Sequence, residues 1–208
     1  MKKVLYGILA YIIILSSCQT EKKPSSTSIN KNYVNSTQKQ EEQVNMSQLN
    51  EEYLKSEEER RQEEEIYNTY IGNSLNTGDI PYSASFGPNS NCANYGCSQI
   101  KVTTPDNSDV LVTIKKNGRV VRHAYIKAAD SYTFSFPNGK YQAFFYYGKG
   151  WNPNKSMKNG KLKGGFISNE HFGKDEPQIL NNNILQYELI LQQNGNFSTK
   201  PSNSDEAL

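Results

Sequence analysis

Three cysteines and two histidines are the only thiols and imidazoles in the chain, and their spacing limits the chemistry open to it. Cys92 and Cys97 enclose Ala-Asn-Tyr-Gly, four residues rather than the two of a Cys-x-x-Cys redox pair. So short a loop, with Asn94 and Gly96 to turn it, suits a structural clip. Two unpaired thiols are the first alternative, and a redox or zinc role the second, zinc needing more ligands than these. His123 lies between Arg122 and Ala124 in a strand-like run, and His171 follows Glu170 in a polar stretch that also holds Asp175. Glu170, His171 and Asp175 come nearest to a metal cluster, yet they read more simply as surface-loop residues. Asp130, Asp175 and Glu176 have no spacing that separates them from ordinary loop acids. No Gly-x-Ser-x-Gly frame marks a nucleophile, and Gly148-Lys149-Gly150 lacks the frame of a phosphate loop. These patterns point to no catalytic residue, no metal and no cofactor, and the expectation is a protein that is not an enzyme.

One further cluster suits binding. Residues 146–165 bring Tyr146, Tyr147 and the single tryptophan, Trp151, beside Asn152, Asn154, Lys155 and Lys158. Read as a loop of about eighteen residues, this segment is longer than most connections. Aromatic faces beside amide and lysine donors fit a glycan or a partner protein. The preferred expectation is that Trp151 folds back to close the end of the domain.

The elements that position these residues are mostly strands. Ile100 and Val102 alternate within 98–103, and Val110-Leu111-Val112-Thr113-Ile114 follows. Asn117-Gly118 between Lys116 and Arg119-Val120-Val121 is a strong hairpin signal. Tyr132-Thr133-Phe134-Ser135-Phe136 alternates, turns at Pro137-Asn138-Gly139 and continues through 141–147. Leu185, Tyr187, Leu189 and Leu191 share one face of a last strand, with shorter pieces at Phe166-Ile167 and 178–180. Such short strands joined by turn residues predict a mainly β domain over 79–197, an antiparallel β-sandwich. The tail, 198–208, is polar and expected to be loose.

Upstream of the sandwich the composition changes. Residues 18–45 are Ser, Thr, Asn, Lys and Gln with almost nothing apolar, a disordered tether spanning roughly 30 Å. Residues 46–72 are rich in Glu, Arg, Gln and Leu without Gly or Pro until Gly72, and predict a solvated helix about 38 Å long. Met46, Leu49, Tyr53, Tyr67 and Tyr70 share a heptad register that Ser56, Arg60 and Glu63 interrupt, which weakens a coiled coil. Its apolar end, Ile66-Tyr67-Tyr70-Ile71, is expected to dock on the domain.

At the start, Lys2 and Lys3 precede an apolar run over 4–15, too short to span a bilayer comfortably but long enough for a signal segment. The run ends in Leu15-Ser16-Ser17-Cys18, which resembles the lipobox of bacterial lipoproteins. That resemblance implies removal of residues 1–17, a diacylglycerol on the Cys18 sulfur and an acylated new amine. Several chains anchor stably where one is marginal, each buried CH₂ contributing about 0.8 kcal/mol. Gln19, rather than Asp, leans toward the outer membrane, and Glu21-Lys22-Lys23 leaves its periplasmic or surface face open. An envelope compartment is oxidising, which favours the Cys92–Cys97 pair. Without residues 1–17 the 23 Lys and Arg fall to 21, equal to the 21 Asp and Glu, and a neutral chain is a poor nucleic-acid ligand.

The run from Gly139-Lys140-Tyr141 to Trp151-Asn152-Pro153-Asn154, with Gly164-Gly165-Phe166, Leu185-Gln186-Tyr187-Glu188-Leu189 and Asn194-Gly195-Asn196-Phe197, resembles a module of uncharacterised Bacteroidota envelope proteins. The strand order is also similar to small transthyretin-like or Ig-like sandwiches. The resemblance covers about 79–200 and implies fold and compartment, not activity. The expectation is a lipid-anchored envelope protein with a non-catalytic binding or assembly sandwich, its partners the membrane and an envelope protein or glycan. The alternatives are an envelope hydrolase using loop acids and histidines, and an oligomer formed through the helix.

Overall fold

A computed structural model describes residues 35–90, 92, 96–190 and 199–208, with the backbone alone over 35–45. The signal segment, Cys18, the tether up to residue 34, Asn94, Leu191 and the Asn194–Phe197 motif lie outside these residues. Among the described residues no helix is long and apolar enough to cross a membrane. Helix α1 spans Asn35–Tyr70, so residues 35–45, assigned above to the tether, are helical. Their Gln, Glu and Lys residues, with no Gly or Pro, are adequate helix formers, and low hydropathy alone did not separate them from coil. From Tyr53 on, the chain forms one compact unit that ends at Leu208.

That unit is mainly β, an antiparallel sandwich with one parallel pair. Its strands are β1 (Cys97–Thr103), β2 (Asp109–Lys116), β3 (Arg119–Ile126), β4 (Ser131–Pro137) and β5 (Gly139–Met157), then β6 (Leu162–Lys174), β7 (Gln178–Leu180), β8 (Ile184–Glu188) and β9 (Lys200–Pro201). Short helices α2 (Ser83–Phe86) and α3 (Ser204–Ala207) complete the set among the described residues. One sheet has the order β4-β1-β8, in which β1 and β8 run parallel; the other runs β3-β2-β5-β6-β9, with β7 on β5. The β2–β3 turn places Asn117 and Gly118 at φ 50° and 76°, the left-handed pair that a tight hairpin needs.

Strand alternation builds two cores rather than one. Val110, Val112 and Ile114 of β2 point to the small sheet, with Ala124, Ile126, Phe145 and Tyr147, and meet Ile100, Val102, Phe134 and Phe136. Leu111, Tyr125, Phe144 and Tyr146 point the other way. That outer face is not left to solvent. It is roofed by Tyr82, Trp151, Met157, Leu162, Phe166, Ala207 and Leu208, with Leu75 and Phe86 at the margin.

Three sequence expectations change here. Residues 146–165 are not a loop: β5 runs on to Met157 and pairs with β6 in a long hairpin. The tail is not loose. Pro201 pairs with Gly173, and Thr113 and Lys115 donate to the Ala207 and Glu206 carbonyls at 2.6 and 2.5 Å. Glu170 and His171 lie within β6, not in a surface loop.

Candidate functional site

The C-terminal part of α1 and the β5–β6 hairpin line an open cleft of about 940 Å³. One wall is Arg60, Glu63, Glu64, Ile66, Tyr67 and Tyr70. Positions 60, 63, 64 and 67 repeat at three and four residues and so share one helix face. The facing wall is Asn152, Asn154 and Lys155 of β5 with Ile167 of β6.

A bulge aims the second wall. Between Asn152↔Gly165 and Ser156↔Lys163, β5 advances four residues while β6 advances two. The surplus residues bow out of the ladder, and Pro153, which has no N–H to give, falls within the bow. The Asn152 Oδ1 accepts from the Asn154 N–H at 2.9 Å and holds the bow in shape. Lys155 pairs with Glu170 and donates to the Phe166 carbonyl at 2.5 Å. The buried Tyr146 hydroxyl also donates to Glu170 and accepts from the Phe166 N–H at 2.9 Å. Burial first, and then the Glu170 carboxylate, push the Tyr146 phenol well above its ordinary value, so it stays neutral.

The first wall is pinned at its end. The Trp151 N–H donates to the Asn73 carbonyl at 2.9 Å, and Asn73 Nδ2 returns a bond to the Trp151 carbonyl at 2.6 Å. Gly150 has φ +71°, and a Cβ there would lie 2.7 Å from the Tyr70 carbonyl oxygen and 2.8 Å from Ile71 Cα. Only glycine lets the helix end come this close. Asn154 Nδ2 reaches the Tyr70 hydroxyl at 3.4 Å across the cleft floor. Next along the chain, residues 74–79 are strapped to the sandwich. Ser74 and Tyr125 both bond Asp109, at 3.0 and 2.5 Å, and Thr77 bonds Asp130 at 2.5 Å, which holds the Asp130 carboxyl below its usual range.

The residues singled out from sequence therefore divide. Asn152, Asn154 and Lys155 line the cleft, whereas Tyr146, Tyr147 and Trp151 are buried and do not. Trp151, 2 % exposed, meets Tyr125 and Phe166 edge to face at 5.5 and 5.3 Å, so it packs from within β5 into the outer-face core rather than folding back from a loop over the end of the domain. Tyr147 faces the inner core beside His171, at 5.9 Å between rings. Glu170 engages the outer-face Tyr146, while Asp175 accepts from Tyr187, which packs on the inner core. Sheet alternation thus splits Glu170, His171 and Asp175 between two faces. Among the described residues no three potential metal ligands converge. Cys92 and Cys97 form a disulfide with Cα atoms 6.0 Å apart.

No family model, curated protein or solved structure matches the chain.

Two features had no signal in the sequence. His123 is 1 % exposed, stacked on Tyr82 at 6.3 Å and edge-on to Phe86 at 5.4 Å. Its Nε2 has no hydrogen-bond partner, and desolvation lowers its pKa against a raising bond to Ile80. The charged wall of Arg60, Glu63 and Glu64 has the composition of ordinary solvated helix surface, and nothing local marks which side of a charged helix faces a domain.

Proposed function

We propose that the chain is a lipid-anchored cell-envelope protein whose β-sandwich is a non-catalytic binding or assembly module, with the α1–hairpin cleft as its contact surface. The anchor is carried by Lys2-Lys3, the apolar run and Leu15-Ser16-Ser17-Cys18, and the attachment atom is the Cys18 sulfur. The membrane assigned is the outer one. The observation that supports the binding role is the construction of the cleft. The β5 wall is held by the bulge and the Lys155–Glu170 pair, and the helix is tied at its C-terminal end by the Asn73–Trp151 bonds and the close approach at Gly150. A preorganised surface binds without first losing conformational entropy.

Two measurements test this. Cells fed a labelled fatty acid should transfer the label to the protein, and Cys18→Ser should abolish the transfer. Immobilised full-length protein should retain a specific envelope component, and Tyr67→Ala should release it. Turnover of an envelope polymer that is lost on changing His171 or Asp175 would replace this reading with that of a hydrolase.

A further inference from the structure

We infer that the cleft takes an uncharged, polyhydroxylated ligand, a short neutral oligosaccharide; the inference rests on the reading of the domain as a binding module. Both cations of the lining are already engaged, Arg60 with Glu57 at 2.6 Å and Lys155 with Glu170, which leaves Glu63 and Glu64 as its unpaired charges. An anion would have to break these pairs, and a cation would find only exposed helix carboxylates that water already solvates.

What the cleft does offer is separate donors and acceptors beside a flat apolar surface. Asn152 lines the cleft with its Oδ1 spent on Asn154, which leaves its Nδ2 to serve as a donor on that wall. Glu63 and Glu64 make no hydrogen bond or ion pair among the described residues and supply acceptors on the opposite wall. A hydroxyl group both donates and accepts, so a row of hydroxyls satisfies both walls where a purely accepting or purely donating ligand would satisfy one. Tyr67, 46 % exposed, and Ile66 give apolar area for the C–H face of a sugar ring. The volume, about 940 Å³, exceeds the needs of a single sugar and favours an oligomer.

The test uses the full chain in detergent with panels of neutral glucose, mannose and xylose oligosaccharides and, as controls, uronic-acid and sulfated ones. At least one neutral oligosaccharide should bind, with an affinity little changed between about 50 mM and 500 mM salt, because screening does not touch an uncharged ligand. Tyr67→Ala and Asn154→Ala should each weaken it about tenfold, equivalent to roughly 1.4 kcal/mol. Tyr53→Ala, on the same helix outside the cleft, should leave it unchanged. All three side chains are solvent-facing, so unchanged thermal unfolding confirms that the variants are folded. Binding confined to the acidic panel, binding indifferent to Tyr67 and Asn154, or no binding in either panel would overturn the inference. If an envelope protein is instead captured through Tyr67, the sugar assignment fails while the binding-module reading stands; if neither is captured, both fail.

Discussion

Replacing Trp151 by alanine tests whether the outer face of the large sheet is a true second core. Trp151 is 2 % exposed and meets Tyr125 and Phe166 edge to face, with Tyr82 tilted beside it at 6.2 Å. Its backbone bonds to Asn73 are main-chain atoms and survive the change. The loss is therefore one of packing. Truncating a buried tryptophan costs about 3–5 kcal/mol, and three aromatic neighbours that cannot collapse onto the gap place this site near the top of that range. Against a total stability of about 5–15 kcal/mol the variant should fold but be marginal. With a urea slope of about 2 kcal/mol/M, the unfolding midpoint should fall by about 2 M at an unchanged slope. The assay is equilibrium urea unfolding followed by far-UV circular dichroism, with the wild-type chain alongside. A midpoint shift below about 0.5 M would refute the second core, because an indole on a wet surface has little to lose.

Other perturbations have equally definite outcomes. The His123 pKa is lower in the folded chain than its unfolded value of about 6.5, so the unfolded chain binds the extra proton. Its contribution is then complete above about pH 6.5 and lost as the pH falls toward the folded value, and His123→Phe should flatten that part of a stability–pH curve. Gly150→Ala drives a Cβ into backbone at Tyr70 and Ile71 from a left-handed φ, and should cost about 1–3 kcal/mol and speed hydrogen exchange over 66–75. Leu208→Ala should cost about 2–5 kcal/mol, whereas a loose tail would give no change. Reducing the Cys92–Cys97 disulfide should cost only about 2 kcal/mol, since so short a loop has little closure entropy to remove.

The strands of the inner core were legible because each carries its own pattern. Ile100 with Val102, Phe134 with Phe136 and the Asn117-Gly118 turn announce themselves within a few residues. Of the apolar helix end, Ile66-Tyr67-Tyr70-Ile71, only Tyr70 and Ile71 are partly covered, beside Gly150, while Ile66 and Tyr67 stay exposed. The hairpin beyond Tyr147 was not legible. Gly148, Gly150, Asn152, Pro153 and Asn154 are turn residues by composition, and here they serve bulges and a close helix contact instead. The second core was hidden for another reason. Tyr82, Leu111, Trp151 and Leu208 come from four distant segments, and no window of sequence contains their common face. Ala207 and Leu208 look incidental after a polar run, yet Thr113, Lys115 and Lys174 all bond to α3. As for the cleft, Asn152, Asn154 and Lys155 could be nominated by type, but their partners across the gap lie on a helix whose wet and docked sides carry the same charges.

The most direct test of the account is where contact with the envelope is made. A photo-crosslinking amino acid placed at Tyr67 or Asn154 in the full chain, activated in intact cells, should give the same discrete adduct from both positions. The same probe at Asn117, in the exposed β2–β3 turn away from the cleft residues, should give none. Identical patterns from all three positions, or adducts from Asn117 alone, would contradict a binding surface at the cleft.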